Sequence, residues 1–303
     1  MAAQKLTEST IAKYRQLFKQ MTAFAQDRGL RYLKELDLTM LDAFRSGWKD
    51  GARSSAKKLE RIRSFLRFAQ QRDWIVKNPA VSLRAPRVTL CPTLPYTTEQ
   101  MQGILAAIDK YRDLFPARGR ENALRLRGLV LLLRYSGLRI GDAVSLTTDR
   151  VQGDRLFLYT HKTGVAVNTI LPNFVLKALE LIPRVTDRHF FWNGEDKLET
   201  IVGSWRRRLA KLFELAGVSK GHAHRFRDTF AVELLLRGVL IERVSVLLGH
   251  QSVRITEKHY SPWVRARQEQ LEQDLHRVWE QDPIAILETK GTPEVHGKNV
   301  RIN

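Results

Sequence analysis

Six residues in the C-terminal two-thirds of this 303-residue chain have side chains that together could act on a phosphodiester. Five carry hydrogen-bond donors for a phosphate and the sixth carries a phenolic hydroxyl; they are Arg139, Lys162, His224, Arg227, His250 and Tyr260. Attack on a phosphodiester builds negative charge on its nonbridging oxygens, and fixed cationic donors stabilise that charge. Nearby cations also favour the phenolate form of a tyrosine. The set therefore indicates phosphoryl transfer to a tyrosine.

Each of these residues also has an ordinary structural interpretation, and the neighbouring residues help to decide. Arginines are commonly surface or ion-paired residues, but Arg139 follows an apolar segment that ends at Gly137 and precedes Asp142 by three positions. We expect Asp142 to hold Arg139 in one rotamer, with capping of a helix N terminus as its alternative role. His224 and Arg227 are three positions apart, so a helix would direct both into one site.

The remaining candidates lie in less regular sequence. Lys162 occupies a predicted hairpin turn, where it could be a surface lysine, and its neighbour His161 is an alternative for the same role. His250 follows an apolar Leu-Leu-Gly segment and is either a phosphate donor or a capping residue. Tyr260 is surrounded by polar and turn-forming residues, which favours a functional hydroxyl over a core tyrosine.

Three segments carry a resemblance to a known family. They are Tyr-Ser-Gly-Leu-Arg-Ile-Gly-Asp at 135–142, His-Arg-Phe-Arg-Asp-Thr-Phe-Ala at 224–231, and Leu-Leu-Gly-His at 247–250 with Thr-Glu-Lys-His-Tyr at 256–260. These closely resemble the signature boxes of the tyrosine recombinases, the family of phage integrases and Xer-type recombinases. The second box departs from the common His-x-Leu-Arg-His pattern, because Phe226 replaces leucine and Asp228 replaces the last histidine. The role of Asp228 is therefore left open.

The resemblance implies a role for each candidate, with Tyr260 as the nucleophile. Arg139 and Arg227 would clamp the scissile phosphate, and His250 would donate a hydrogen bond to a nonbridging oxygen. Lys162 would be the general acid that protonates the leaving 5′ oxygen, a transfer usually worth about 10²–10⁴-fold in rate. The histidine of the second box would assist proton transfer to or from the nucleophile. No metal or other cofactor is implied.

The resemblance further implies a site-specific recombinase or integrase that cleaves and rejoins duplex DNA through a 3′-phosphotyrosyl intermediate and a Holliday junction, without ATP. Its partner would be a double-stranded recombination site, on which it forms a homotetramer, while the free chain is a monomer or weak oligomer. An accessory DNA-bending protein could assist. Such an enzyme suits a mobile genetic element, but the sequence does not distinguish integration from excision, resolution or transposition.

The composition agrees with a nucleic-acid partner. The chain has 51 Lys and Arg against 32 Asp and Glu, a net charge of +19, which suits a polyanion better than a small neutral ligand. Its one cysteine, Cys91, cannot form an intrachain disulfide, which favours a reducing compartment. No signal peptide and no apolar run of about 20 residues is found. We expect no membrane association, and a cytoplasmic, nucleoid-associated protein encoded by a bacterium or phage.

The first ninety residues form a distinct basic region. Residues 1–90 contain 19 Lys and Arg and 8 Asp and Glu, which places +11 of the net charge in less than a third of the chain. Apolar residues at three- and four-residue steps predict short helices here, with Ser9 as the N-cap of the first. The third helix, near 54–71, presents a basic face that either contacts DNA or is only solvated. Its members are Lys57, Lys58, Arg61, Arg63 and Arg67.

The predicted fold is mainly α-helical with a small antiparallel β-sheet in the catalytic domain. We expect a two-domain clamp: a SAM-like helical core-binding domain at 1–90, a linker at 91–97, a catalytic domain at 98–282 and a tail at 283–303. Thr97 and Gln100 resemble a capping box, and an apolar helix over 120–135 should be buried and end at Gly137. A hairpin over 155–172 turns at Gly164. Later helices are predicted from 173 and over 198–216, 227–236, 241–248 and 264–280.

Three other interpretations compete. His222-Ala223-His224 with a downstream tyrosine resembles the metal-dependent HUH endonucleases, but it leaves Arg139, Lys162 and Arg227 unexplained. Type IB topoisomerases share the tyrosine chemistry and differ in domain order and spacing. The third is a protein without activity, either a basic helical DNA-binding protein or an inactive recombination regulator, and neither would need every expected catalytic position to be filled.

Overall fold

The computed structural model describes residues 6–88, 94–115, 117–184 and 186–284, and it divides into two compact units with the boundary between Cys91 and Pro92. This boundary lies at the start of the predicted 91–97 linker, although residues 91–93 themselves are outside the described part. Most of the predicted tail, 285–303, also lies outside the described residues. None of the helices in the described ranges is both long and apolar enough to cross a lipid bilayer.

The first unit contains three helices, α1 (Glu8–Asp27), α2 (Leu38–Ser46) and α3 (Ala52–Gln70). The side chain of Thr7 caps α1 by accepting a hydrogen bond from the backbone of Thr10, so the prediction that Ser9 caps this helix is wrong. Asp37 caps α2 in the same way, through the backbone N–H of Met40. Ser, Thr and Asp side chains at this position satisfy N–H groups that have no partner within the helix.

The core of the first unit is formed by apolar residues from all three helices, from the connection between α1 and α2, and from the segment after α3. Its buried members are Leu17, Met21, Leu36, Leu41, Phe44, Leu59, Ile62, Leu66, Ala69, Ile75, Ala80 and Leu83. On α3 these residues recur on one face, as the predicted helical period requires. The opposite face therefore remains available for basic residues.

Within the residues that the structure describes, the second unit contains eight α-helices and a three-stranded sheet. In chain order it contains α4 (Thr98–Asp113), α5 (Gly119–Ser136), α6 (Ile140–Val144), β1 (Val151–Gln152), β2 (Arg155–Tyr159), β3 (Ala166–Ile170), α7 (Asn173–Glu180), α8 (Leu198–Leu215), α9 (Ala223–Leu236), α10 (Ile241–Leu247) and α11 (Val253–Glu280). The mainly helical fold class with a small antiparallel sheet is thereby confirmed. The short strand β1 was not predicted.

Helix α5 is central to this unit and positions the first candidate residue. Its apolar segment from Gly128 to Leu133 is buried, and the helix ends at Gly137, as predicted. Gly137 has φ +63, and a Cβ atom there would lie 2.5 Å from the Phe230 ring, so the turn requires glycine. The chain then reverses into α6, with Arg139 as the residue that precedes it.

The sheet provides the hairpin predicted between the two arginines. Strand β2 pairs antiparallel with β3, Leu158 opposite Val167, and Gly164 has the positive φ of a tight turn. The hairpin lies against the turn between α10 and α11. A Cβ atom on Gly249 in that turn would lie 2.7 Å from Cγ2 of Val167, so glycine permits the close approach of the two segments.

The segment before α4 is attached to the start of α9. Tyr96 accepts the backbone N–H of His222 at 3.0 Å, and the Arg225 guanidinium lies 4.3 Å from the centre of the Tyr96 ring. The capping box of Thr97 and Gln100 is formed as predicted. These contacts hold the helix that carries His224 and Arg227.

Helix α11 differs from the prediction. It begins at Val253 rather than near 264, and it continues through Ser261 and Pro262, which the sequence predicts as a break. Proline within a helix removes one backbone hydrogen bond and its ring crowds the carbonyl four positions earlier, yet α11 continues past it and packs against α9 and α10. As a consequence Tyr260 lies within a helix.

Candidate active site

Arg139 and Asp142 do not form the ion pair that the sequence predicts. Oδ1 of Asp142 instead accepts the backbone N–H of His161 at 2.8 Å. Asp142 is buried, and through this hydrogen bond it holds the base of the hairpin loop that carries Lys162. Nη1 of Arg139 is also buried and has no hydrogen-bond partner among the described residues. A guanidinium nitrogen in this state can bind an acceptor oxygen of a ligand.

Arg227 is the largest fully buried side chain in the described part of the chain, at 2% exposure. Its guanidinium donates to the backbone carbonyl oxygens of Gly137 at 2.8 Å and Leu248 at 2.7 Å. Burial, followed by the charge of Arg139, lowers the pKa of Arg227 to about 10, so it remains a cation at neutral pH. Arg227 therefore fastens α9 to the turn after α5 and to the end of α10.

Lys162 lies at the tip of the hairpin, where its side chain is exposed. It lines a cavity of about 580 Å³ together with Arg139, His161 and His224. The backbone of His161 is anchored at the start of the loop by Asp142, while the long side chain of Lys162 extends into solvent. This arrangement suits a group that must reach a bound strand.

His250 lies in the turn before α11 and contacts Thr256 in the first turns of that helix. Its Nδ1 lies 2.8 Å from the Thr256 hydroxyl, and Thr256 is fully buried. Burial, then the charges of Arg227 and Arg139, lower the pKa of His250 to about 3. The ring is therefore neutral at physiological pH and carries a single N–H. If Thr256 donates to Nδ1, that N–H is on Nε2.

Tyr260 is buried at 3% exposure, and its hydroxyl donates to Oδ1 of Asp228 at 2.8 Å. The expectation of a tyrosine in a polar turn is wrong, because α11 packs this residue onto α9 and α10. The small core around it contains Ala231, Val232, Leu235, Val244 and Leu248. Burial and then the charge of Asp228 raise the pKa of Tyr260, whereas Arg227 and Arg139 oppose that change. The hydroxyl is protonated in the free chain.

His224 lies on the first turn of α9, as the pairing with Arg227 predicts. Its Nε2 is 3.8 Å from Oδ1 of Asp228, and its side chain is 57% exposed. Desolvation lowers the pKa of His224, and Arg227 and Arg139 lower it further against the opposing effect of Asp228. His224 is therefore mainly neutral at pH 7.

Some residues of the site were not found from the sequence. Arg206 on α8 lines the same cavity as Lys162, and Thr256 contacts His250. Arg206 lies outside the signature boxes, and no local pattern indicates that α8 faces this cavity. Thr256 begins the segment at 256–260, but it is neither charged nor the proposed nucleophile, so no role was predicted for it from the sequence. Asp228 was noticed only as a departure from a pattern, without a role.

The predicted basic face of α3 is partly engaged within the first unit. Arg63 donates from Nε to the carbonyl of Ala80 at 3.0 Å and from Nη2 to that of Leu83. Lys58 pairs with Asp50 and lies 4.9 Å from the centre of the Trp48 ring. Lys57 pairs with Glu60 at the surface. Arg61 is half-buried and Arg67 is exposed. Contact of any of the five with DNA stays a prediction.

The metal-dependent alternative lacks its structural setting. His222 is the residue before α9 and His224 lies within that helix, whereas the HUH arrangement requires a strand. Within the described ranges, no group of three or more His, Cys, Asp or Glu side chains is arranged as a metal site.

A model of the phage integrase family matches residues 96–263. The match spans more than half of the chain and covers every candidate catalytic residue, and this protein belongs to the phage integrase family. This confirms the predicted resemblance to the tyrosine recombinases. It also confirms the predicted enzyme class, a site-specific recombinase.

Known relatives are similar over most of the chain. Tyrosine recombinase XerC from Rickettsia peacockii is 25% identical over 214 residues, which cover 69% of this chain and 68% of the relative. XerC from Rickettsia rickettsii (strain Sheila Smith) is 23% identical over 239 residues, 76% of this chain and 77% of the relative.

Solved structures share the fold at low sequence identity. A lambda integrase dimer bound to a COC′ core site matches with a TM-score of 0.68 and 18% identity over 85% of this chain and 90% of that one. The lambda integrase tetramer bound to a Holliday junction gives a TM-score of 0.65 and 19% identity, covering 83% and 74% of the two chains.

Proposed function

We propose that this chain cleaves and rejoins duplex DNA at a specific site, through a 3′-phosphotyrosyl intermediate on Tyr260 and a Holliday junction. The observation that carries the proposal is the buried, unpartnered Nη1 of Arg139 in a site where its charge acts on both Arg227 and Tyr260. A buried cationic donor without an acceptor is costly unless a ligand supplies one. The nonbridging oxygens of a DNA phosphate are suitable acceptors.

In the cleavage step, the Tyr260 oxygen bonds to the scissile phosphorus and the bond to the 5′ oxygen breaks. Arg139 and Arg227 stabilise the charge that develops on the nonbridging oxygens. Lys162 reaches from the hairpin and donates a proton to the leaving 5′ oxygen. One phosphodiester replaces another, so rejoining is the reverse step and needs no ATP. Side-chain cations supply the charge that a metal ion would otherwise provide.

The two histidines have separate roles in this mechanism. Neutral His250, oriented by Thr256, donates a hydrogen bond from Nε2 to a nonbridging oxygen. His224 is more exposed and assists proton movement at the tyrosine end of the reaction. Because Tyr260 is buried against Asp228, the scissile phosphate must reach this pocket before attack.

The partner of the reaction is a double-stranded recombination site held by four copies of the chain, which is a monomer or weak oligomer when free. The lambda integrase tetramer on a Holliday junction, with its similar fold, supports this assembly. Residues 1–90 would contribute to DNA binding and 98–282 would carry out catalysis, joined by 91–97. An accessory DNA-bending protein would assist. The bacterial XerC relatives support action in the cytoplasm, at the nucleoid.

Tyr260→Phe tests the proposal because it removes only the attacking oxygen. The DNA would be duplexes selected by binding from a random pool and resynthesised with nicks that trap the covalent intermediate. We expect a denaturant-stable protein–DNA adduct with the unmodified chain and with Tyr159→Phe, an exposed control tyrosine on β2, and none with Tyr260→Phe. DNA binding should be equal in all three. An adduct with Tyr260→Phe would contradict the proposal. If EDTA abolished activity and Mg²⁺ or Mn²⁺ restored it, the result would favour the metal-dependent His222/His224 alternative.

A further inference from the structure

Asp228 is the group in direct contact with the Tyr260 hydroxyl, and the mechanism above gives it no role. It follows Arg227 on α9 and is only 5% exposed. Its Oδ1 accepts the tyrosine hydroxyl at 2.8 Å, while its Oδ2 is buried without a hydrogen-bond partner. Burying a carboxylate costs free energy because it loses its hydration, and the cost is larger when one of its oxygens has no hydrogen-bond partner, as in Asp228.

We propose that Asp228 accepts the proton of Tyr260 during strand cleavage and returns it during rejoining, a role that rests on the proposed phosphotyrosine chemistry. In cleavage, the O–H bond of Tyr260 breaks while its oxygen bonds to phosphorus, and the proton moves to the carboxylate of Asp228. The P–O5′ bond breaks in the same step, and Lys162 supplies the proton for the 5′ oxygen. Rejoining reverses each transfer, so protons and charges balance.

The distances favour Asp228 over His224 as the direct acceptor. A base must lie within about 2.6–3.2 Å of the oxygen whose proton it takes, and Oδ1 of Asp228 satisfies this at 2.8 Å. The hydroxyl has one proton, and in the free chain it is directed at Asp228. His224 lies beyond, 3.8 Å from the same carboxylate oxygen, and faces solvent. It is suited to exchange the proton with solvent after Asp228 has received it, through a bridging water.

The charge changes of the reaction also favour proton transfer to Asp228. A DNA phosphate brings a negative charge next to a carboxylate in a poorly solvated pocket, and the two repel each other. Once Asp228 is protonated this repulsion ends, and the carboxyl group becomes a hydrogen-bond donor to the phosphotyrosine oxygens. A carboxylate that stayed anionic would oppose the covalent intermediate.

The pH behaviour depends on the charged and titratable groups that face this pair. They are Arg139 before α6, Tyr96 before α4, Arg227 and His224 on α9, and His259 on α11, whose ring centre lies 6.4 Å from that of Tyr260. With its pKa at about 10, Arg227 stays mainly charged between pH 6 and pH 9, and Tyr96 stays neutral because burial raises its pKa. The raised pKa of Tyr260 means that few molecules carry a phenolate in this range. An acceptor in contact with the hydroxyl removes the need for prior ionisation.

Asp228→Asn separates proton acceptance from positioning, because asparagine keeps an acceptor oxygen but cannot take a proton. We would measure single-turnover adduct formation on the nicked duplex between pH 6 and pH 9, with Asp154→Asn, an exposed aspartate before β2, as the matched control. At pH 7 we expect Asp228→Asn to react about 10²–10⁴-fold more slowly. Its rate should rise about tenfold per pH unit, since the phenol must ionise first. DNA binding should be no weaker than that of the unmodified chain, because the substitution removes a negative charge that repels the phosphate. The control should match the unmodified chain.

A fluorinated tyrosine at position 260 tests the same transfer in a second way. Its phenol is more acidic, so it depends less on a proton acceptor, and it should restore part of the rate lost in Asp228→Asn. If the Asp228 carboxylate only positioned the tyrosine ring, the more acidic phenol would not restore the rate lost in Asp228→Asn. The proposal would be overturned if Asp228→Asn reacted at the rate of the unmodified chain. It would also be overturned if Asp228→Asn reacted more slowly but kept the pH profile of the unmodified chain and did not respond to fluorination.

The unmodified chain provides a test that does not depend on folding of the variant. On a substrate with a bridging 5′ sulfur, the leaving thiolate needs no proton, so the pH profile reports the Tyr260 proton. We expect a nearly flat profile between pH 7 and pH 9, and a tenfold rise per unit would overturn the role of Asp228. Absence of any adduct with the unmodified chain would instead count against the proposed function itself.

Discussion

The two sides of the candidate active site differ in their exposure to solvent. On one side Arg227, Asp228 and Tyr260 are 2%, 5% and 3% exposed, held between α9, α10 and α11. On the other side Lys162 and His224 face an open cavity. The buried side is positioned by contacts that also hold the fold together, whereas the open side keeps side chains free to reach DNA. Substitutions should therefore affect folding and catalysis together on the buried side, and catalysis alone on the open side.

Arg227→Lys should have the largest effect. Lysine cannot bridge the two carbonyl oxygens of Gly137 and Leu248, and each charge-assisted hydrogen bond is worth about 1.5–3 kcal/mol. We expect a lower free energy of unfolding, measured by urea denaturation, and almost complete loss of strand cleavage. Arg243→Lys, an exposed position on α10, is the matched control and should change neither. If Arg227→Lys had the same free energy of unfolding as the unmodified chain, Arg227 would not couple the stability of the fold to the site.

Lys162→Ala should affect catalysis alone. We expect cleavage of ordinary DNA to fall about 10²–10⁴-fold without a change in unfolding free energy, because the side chain is exposed. A substrate with a bridging 5′ sulfur should restore the rate nearly to that of the unmodified chain. Arg139→Ala should show no such rescue, since its partner is a nonbridging oxygen. Equal defects on both substrates, or rescue of His161→Ala instead, would show that Lys162 is not the general acid.

Thr256→Val should have a smaller effect, at the border between the two sides. Valine keeps the shape of the buried residue but removes the hydroxyl that contacts His250, a hydrogen bond worth about 0.5–1.5 kcal/mol. We expect cleavage to slow about tenfold at most. Thr256→Ser retains the hydroxyl and should retain the rate. If valine and serine behave alike, Thr256 does not orient His250.

Local features of this fold could be predicted from the sequence. The capping box at Thr97 and Gln100, the end of α5 at Gly137 and the hairpin turn at Gly164 each depend on residues close together in the chain. The three-residue spacing of His224 and Arg227 suits a helix that carries both, and α9 does so, although the sequence predicts this helix only from 227 and it begins at Ala223. Residue type and short spacing carry this information directly.

Nonlocal features could not be predicted in this way. The two carbonyl partners of Arg227 lie 90 and 21 positions away, and the partner of Asp142 lies 19 positions away in a hairpin loop. Ser261 and Pro262 indicated a break where tertiary packing continues α11, and this hid the burial of Tyr260 and its contact with Asp228. The sequence therefore identified the candidate side chains, but not which of them would contact one another.

Mapping the covalent bond tests the central claim most directly. The adduct formed on a nicked duplex would be digested with nuclease and trypsin, and the peptides would be analysed by mass spectrometry. We predict that the tryptic peptide 259–265, which contains Tyr260, carries a nucleotide linked through its 3′ phosphate. The same modification on another tyrosine, such as Tyr135 or Tyr159, or on a histidine or serine, would contradict the account.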